Sequence, residues 1–373
     1  MLRMLMTTIV TLFAWSSIAP AAEARQMSAD SPPKFTVVGA NILGLGVANL
    51  KIRDGRIEDI STAEPDSSFP TVNAAGRTIV PAFIDSHVHL AYAFSAQELA
   101  HGGIAAAVDL SAPVSFLESN LKPMTVMLAG PMITAISGYP TKSWGSKGYG
   151  LQISGIHAAS HAVDVLYAAG ARVIKMPVGD ATGVGALTMA RNPAHLTDQE
   201  MKVIVDRAHS HGMKVAAHAL NDADVRRAAA AGVDVLAHTP TEALSDETIA
   251  LWSDRAVIST LAAFDKLSTP ARNLRRLSKA GATVLYGTDM GYTVFPGINP
   301  VELELLAKAG LSNQDILAAG TTIPAKYWGF GSGLGSLSIG GAASFLILEN
   351  DPLIEPANLS RPIAVYIDGR KIK

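Results

Sequence analysis

Cysteine is missing from all 373 residues. Its absence excludes disulfides, thiolate-held metals and a cysteine nucleophile together. A dominant charge is missing too: 30 basic residues stand against 32 acidic ones, a formal net charge of −2. No long run of like charge occurs, so nothing in the chain calls for nucleic acid or a polybasic membrane contact. What is abundant is apolar. With 49% hydrophobic and 17% charged residues, the chain has the composition of a globular protein, not a disordered one. Its length allows a large buried core and two or so domains.

The beginning of the chain reads as a removable address. Arg3 supplies a positive start, "MLMTTIVTLFAWSSIA" an apolar stretch, and Ala22-Glu23-Ala24 an A-x-A cleavage site. The apolar run is too short, and too soon followed by polar residues, for a stable membrane span. A signal peptide over 1–24 is therefore expected, with mature protein starting near Arg25. The protein would then be periplasmic or secreted, with no stable membrane span after cleavage.

Short strands and turns follow to residue 80. "NLKIRDGRIEDI" reads as a hairpin, with Asp54-Gly55 as its turn. Beyond Pro81, apolar strands alternate with amphipathic helices, and strands are expected at 83–88, 104–109, 125–133, 172–176, 213–218, 233–237, 256–260 and 283–288. The clearest helix follows Leu196. Thr197 and Glu200 form a capping box, and Met201, Ile204, Val205 and Ala208 fall on one face. Strands alternating with helices predict a parallel sheet, and eight such units predict an α/β (β/α)8 TIM barrel over 81–334. After Gly335 the chain returns to strands. Residues 25–80 and 335–373 are expected to make a small β-sandwich from both chain ends. The tract "GFGSGLGSLSIGG" does not lead from a strand into a helix, and reads as a linker, not a nucleotide loop.

In such a barrel the carboxyl ends of the strands form the active face. Strand one, "FIDSHVHL", ends in His87 and His89, whose side chains share one face of a strand. Strand four, "RVIKMPV", carries Lys175. Strands five and six end in His218 and His238, and strand eight, "TVLYGTD", ends in Asp289. Taken singly, a strand-end histidine is an ordinary hydrogen-bonded core residue, Lys175 the partner of an acid and Asp289 a helix cap. Four histidines, a lysine and an aspartate on one rim are a different matter, because converging imidazoles suit a metal. The other six histidines carry no such signal. His209 and His211 close a helix on the opposite face, and His157 and His161 lack the glutamate of a zinc-protease helix.

"IVPAFIDSHVHL", "GARVIK", "VAAHA", "GVDVLAH" and "YGTD" together resemble, in order, the motifs of the amidohydrolase superfamily, on its imidazolonepropionase-like and prolidase-like branch. "GSLSIGGAASFLIL" resembles the returning strand of that family's β-sandwich. The resemblance implies a binuclear centre: His87, His89 and Asp289 on one metal, His218 and His238 on the second, and Lys175 bridging both as a carbamate made with carbon dioxide. Asp289 would act as the proton-transferring catalytic residue, with His238 beside it.

The chemistry is consistent with that implication. A lysine inside an apolar strand is desolvated, which exposes the neutral amine that can add carbon dioxide. Imidazole and carboxylate ligands suit divalent metals, zinc best among them. Two metals about 3.5–4 Å apart can share a hydroxide and polarise a carbonyl. The function implied is hydrolysis of an amide bond in a small-molecule substrate. Lactone, ester or phosphotriester hydrolysis on the same centre is the alternative, and a catalytically silent binding protein a third. For the substrate, the loops after strands three and eight bring Tyr139, Trp144 and Tyr292 to the rim, with Lys142 and Lys147 nearby. Aromatic walls with a cation or two suit an apolar group and a carboxylate. Tyr139 stands where many prolidase-like relatives have a histidine, which leaves the substrate class open. The sequence does not give the oligomeric state.

Overall fold

The Asp54-Gly55 pair does what its composition predicts. Both residues adopt the left-handed conformation, at φ +52° and +77°, as a two-residue type I′ hairpin turn requires. They join β2 (Gly46–Arg53) to β3 (Arg56–Ser61), with Arg53 opposite Arg56. The computed structural model of the chain describes residues 33–179, 194–331 and 333–373. The expected signal peptide lies outside these residues.

The hairpin belongs to an eight-stranded sheet built from both chain ends. The N-terminal part adds β1 (Lys34–Ile42), β4 (Thr71–Asn73) and β5 (Thr78–Pro81). The C-terminal part adds β16 (Phe345–Leu348), β17 (Ala364–Ile367) and β18 (Arg370–Lys371). The seam is antiparallel: β16 lies along β5, with Phe345 opposite Pro81. Phe35, Leu50, Ile52, Ile79, Phe345 and Tyr366 pack one apolar cluster on this sheet. Among the described residues these terminal strands form one hydrogen-bonded sheet, and a second, facing sheet of a sandwich is not seen.

From β6 (Phe83–Val88) to residue 285 the paired strands run parallel. They are β7 (Ile104–Asp109), β8 (Thr125–Leu128), β9 (Met132–Ala135), β10 (Gly150–Ile153), β11 (Val173–Pro177), β12 (Lys214–His218), β13 (Val235–Leu236), β14 (Ala256–Ile258) and β15 (Thr283–Leu285). The helices are α1 (Ala96–His101), α2 (Ile156–Ala168), α3 (Asp198–Ser210), α4 (Asp222–Ala231), α5 (Asp246–Ala250), α6 (Thr269–Ala280), α7 (Pro300–Lys308), α8 (Asn313–Gly320) and α9 (Thr322–Trp328). Among the described residues none is long and apolar enough to cross a membrane.

One expectation needs correction. The third strand is not continuous over 125–133: β8 pairs with β7, whereas β9 pairs with β10. Gly130 breaks it with φ +70°, and Pro131 has no N–H to give to a ladder. The ladders of the parallel strands are separate among the described residues. They form sheets β6–β8, β9–β10 and β11–β15. Hydrogen bonds span two of the joints: Ser86 N donates to Tyr286 O at 2.9 Å and His89 N to Met290 O at 2.8 Å, and Arg172 N donates to Leu128 O at 2.9 Å.

The alternation of the strands sorts their side chains by face. Val173, Ala216, Val235, Ala256 and Leu285 share one apolar cluster. Their neighbours Ile174, Val215, Leu236, Val257 and Val284 pack in another with helix residues such as Met201, Ile204 and Leu274. The helix read most clearly from the sequence is α3. The Thr197 hydroxyl accepts from Glu200 N at 3.2 Å, and Glu200 accepts from Thr197 N at 2.8 Å. Such a cap is worth about 1 kcal/mol. His211 closes the helix and binds Asp164 at 2.7 Å, and His209 binds Asp234 at 2.9 Å. This second H-x-H pair is occupied by carboxylates of its own neighbourhood.

Candidate metal centre

All six residues singled out on the strand ends are buried. His87 and His89 point the same way, and their Nε2 atoms lie 3.2 Å apart. Each ring is oriented from behind by a backbone carbonyl. His87 Nδ1 is 2.8 Å from Ala237 O, and His89 Nδ1 is 3.4 Å from Ser111 O. With Nδ1 turned to a carbonyl, each Nε2 lone pair is free for a metal. Both face Asp289 Oδ1, at 3.3 Å from His87 and 3.0 Å from His89. These three side chains form a group whose ligand atoms lie within 4.8 Å of one another. His238 joins from the next side, its ring 4.6 Å from that of His87. His218 follows, with its ring 4.9 Å from His238.

Lys175 tests whether this donor set fits a metal centre. It is fully buried in β11, and its Nζ has no hydrogen-bond partner. A buried ammonium left alone costs several kcal/mol. Burial pushes the Lys175 amine down to about 7, against an opposing pull from Asp289. The same lysine acts electrostatically on both His87 and His238, so it faces the same cluster. Burial holds those two imidazoles well below their ordinary value, so they are neutral and able to bind metal. Burial opposes ionisation of Asp289, but His87, His89 and His238 outweigh it and keep the carboxyl well below its usual range. Neutral imidazoles, one carboxylate and one unpartnered amine fit divalent metals bridged by a lysine carbamate.

The backbone makes room for this cluster at special positions. Asp289 has φ +52°, uncommon for a residue other than glycine. Two residues before it, a Cβ on Gly287 would meet Ile258 Cγ2 at 2.3 Å and His87 N at 3.2 Å. The glycine of "YGTD" therefore lets strand eight approach the first histidine.

Four supporting residues were missed in the sequence. Asp85, inside "FIDSHVHL", accepts from His87 N at 3.0 Å, Thr288 N at 3.1 Å and Thr288 Oγ1 at 2.6 Å. It ties strand one to the residue before Asp289. Burial raises its carboxyl to about 7 against those bonds. Asp109 accepts from Leu90 N and Ser111 N, which places it behind His89. Thr260 Oγ1 lies 3.2 Å from His238 Nδ1, and Glu302 grips the next two backbone amides, Leu261 N and Ala262 N. An acid within an apolar strand was the available signal for Asp85 and Asp109. Glu302 gave none, because its partners are 40 or more residues away.

The expected substrate aromatics gather around the centre, where Tyr139 interacts with both Asp289 and Tyr292. Trp144 Nε1 donates to Tyr139 OH at 2.9 Å. The Tyr139 ring lies 5.0 Å from that of His218, and the Trp144 ring 5.4 Å from that of His89. Tyr292 lines a cavity between the loops after β14 and β15. Lys142 and Lys147 are both exposed.

Comparison with known proteins agrees with this geometry. Residues 78–372 match the amidohydrolase family. An uncharacterised protein of Mycobacterium tuberculosis is 26% identical over 385 residues, covering 91% of this chain and 97% of that one. The imidazolonepropionase of Symbiobacterium thermophilum is 26% identical over 361 residues, covering 80% of this chain and 83% of its own. The crystal structure of a Xaa-Pro dipeptidase with bound methionine superposes with a TM-score of 0.78 at 19% identity, over 91% of this chain and 99% of that one. The fold is thus of the TIM-barrel α/β type. A match over most of the chain settles the family: this protein belongs to the amidohydrolase family and is a hydrolase of carbon–nitrogen bonds.

Proposed function

We propose that the protein is an exported amidohydrolase with two divalent metals, preferably zinc, bridged by carboxylated Lys175. The observation that carries this reading is the buried Lys175 amine, without a hydrogen-bond partner and beside His87, His238 and Asp289. When bound, the metals supply Lewis acidity toward the substrate carbonyl and activate water. The protein's own groups do the rest. His87, His89 and Asp289 hold one metal and His218 and His238 the other. Asp289 also takes the proton from the attacking water and delivers it to the leaving nitrogen. Tyr139 and Trp144, tilted against the imidazoles of His218 and His89, enclose the substrate together with Tyr292.

The strands of 81–334 are read as a (β/α)8 barrel, with the terminal strands as a separate β-sandwich domain. The Ser86–Tyr286 and Arg172–Leu128 hydrogen bonds support the barrel, as does the shared apolar cluster of Val173, Ala216, Val235, Ala256 and Leu285.

The test is a turnover screen of dipeptides, N-acyl amino acids and lactones with the zinc-loaded protein, repeated after chelation. Amide cleavage that stops on chelation and returns with zinc supports the reading. Turnover of lactones, esters or phosphotriesters alone would favour the alternative on the same centre, and no turnover of any class a binding protein. For export, Edman sequencing of protein from the native host should begin near Arg25, and intact Met1 on the bulk of it would contradict this step.

A further inference from the structure

Glu302 is a fully buried acid outside the cluster of candidate ligands. It stands in the first turn of α7, and burial pushes its carboxyl up to about 7. Keeping an acid out of water is costly unless its oxygens are well used. Its hydrogen bonds go to one loop, the one that follows β14. Oε1 accepts from Leu261 N at 3.0 Å, Oε2 accepts from Ala262 N at 2.6 Å, and the Ser259 hydroxyl donates to the same carboxylate. These partners surround Thr260 without including it.

Thr260 is where that loop is unusual. It has φ +41° and ψ +34°, the left-handed conformation. A β-branched residue at positive φ is a steric outlier, held only where its surroundings impose it. Here they are the Glu302 clamp on the next two amides and a bond from Thr260 N to Gly287 O at 3.1 Å. The consequence is the direction of the side chain. Thr260 is fully buried, and its Oγ1 comes within 3.2 Å of His238 Nδ1.

His87 and His89 are oriented by backbone carbonyls, whereas His238 relies on this hydroxyl. Two acceptors stand near His238 Nδ1: Thr260 Oγ1 and, farther off at 4.0 Å, Asp289 Oδ2. An Nδ1 proton given to Thr260 leaves the Nε2 lone pair for a metal and leaves Asp289 free of the ring. β14 itself places none of the six candidate ligands on the rim; Thr260, two residues beyond its end, is its contribution. We propose that Glu302 is a positioning residue for the second metal: it clamps the loop after β14 so that Thr260, in its left-handed conformation, fixes the His238 ring for coordination. The inference rests on the binuclear reading above, in which His218 and His238 hold that metal.

Zinc titration of the metal-stripped full chain by calorimetry, in bicarbonate, tests this without any substrate. The unaltered protein should take up two zinc ions. Glu302→Gln keeps the volume but turns an amide NH2 toward one of the two N–H donors, so the clamp opens. One zinc should then bind as before and the other roughly 10–100-fold more weakly, the scale for losing a partner behind a metal ligand. Thr260→Val removes only the hydroxyl and should produce the same selective loss, so it carries the test if Glu302→Gln does not fold. Thr260→Ser, which keeps a hydroxyl, should retain most of the affinity. Anomalous diffraction from partly loaded Thr260→Val crystals should place the retained zinc among His87, His89 and Asp289. Unaltered affinity at both sites in either variant would overturn the proposal. So would equal weakening of both sites, which is what a merely structural part for the loop predicts. Failure of the unaltered protein to bind two zinc ions would instead defeat the binuclear reading itself.

Discussion

Lys175→Ala is expected to strip the protein of metal and abolish turnover. The amine lies in β11 with no hydrogen-bond partner, so in the unmodified state it is a cost to the fold. Its place in the sequence of a working enzyme makes sense once carbon dioxide converts it to a carbamate, an anion that offsets the positive charge of two metals. Loss of even an outer partner of a metal ligand costs roughly 10–100-fold in metal affinity. Loss of the bridge should exceed that. Short carboxylic acids such as acetate or propionate should restore part of the metal content and rate by occupying the vacated space. Lys175→Met, which keeps the volume, should behave like Lys175→Ala without such rescue.

The same prediction has a pH signature. Burial lowers the amine to about 7, and only the neutral form adds carbon dioxide. The neutral fraction rises with pH through that value. Metal reloading of stripped protein in bicarbonate should therefore be slow at about pH 6 and faster by about pH 8. Full metal content and activity in Lys175→Ala would contradict the bridging role.

Asp289→Asn should separate holding metal from using it. Asparagine keeps the shape and one acceptor oxygen, and it tolerates the left-handed backbone observed at this position, φ +52°. The fold and much of the metal should survive. What asparagine cannot do is accept a proton from the attacking water and return it to the leaving nitrogen. Turnover should fall by roughly 10²-fold or more, the usual scale for general acid–base catalysis. The loss should fall on kcat and kcat/KM alike, since the interaction removed is made in the transition state. A metal-replete Asp289→Asn variant with a nearly unchanged rate would assign the proton transfer to another group.

The parts of this architecture that were legible in the sequence are those encoded locally. The α3 capping box, the Asp54-Gly55 turn and the alternation of the strands each depend on residues a few positions apart. The strand-end rule then brought His87, His89, Lys175, His218, His238 and Asp289 to one rim without any knowledge of distance. The break in the third strand was also written in Gly130-Pro131, but the apolar run around it looked continuous. The supports of the centre were harder to see. Asp85, Asp109 and Glu302 act by gripping backbone amides, and a backbone amide has no letter in the sequence.

Two metals and a carboxylated lysine are expected at this rim. Diffraction from crystals of the zinc-loaded protein, recorded at the zinc absorption edge, tests this directly. Two anomalous peaks are predicted, one among His87, His89 and Asp289 and one beside His218 and His238. Density for a carboxyl group should extend Lys175 Nζ between them. A single peak or none, with an unmodified Lys175, in protein that still hydrolyses an amide would contradict the account.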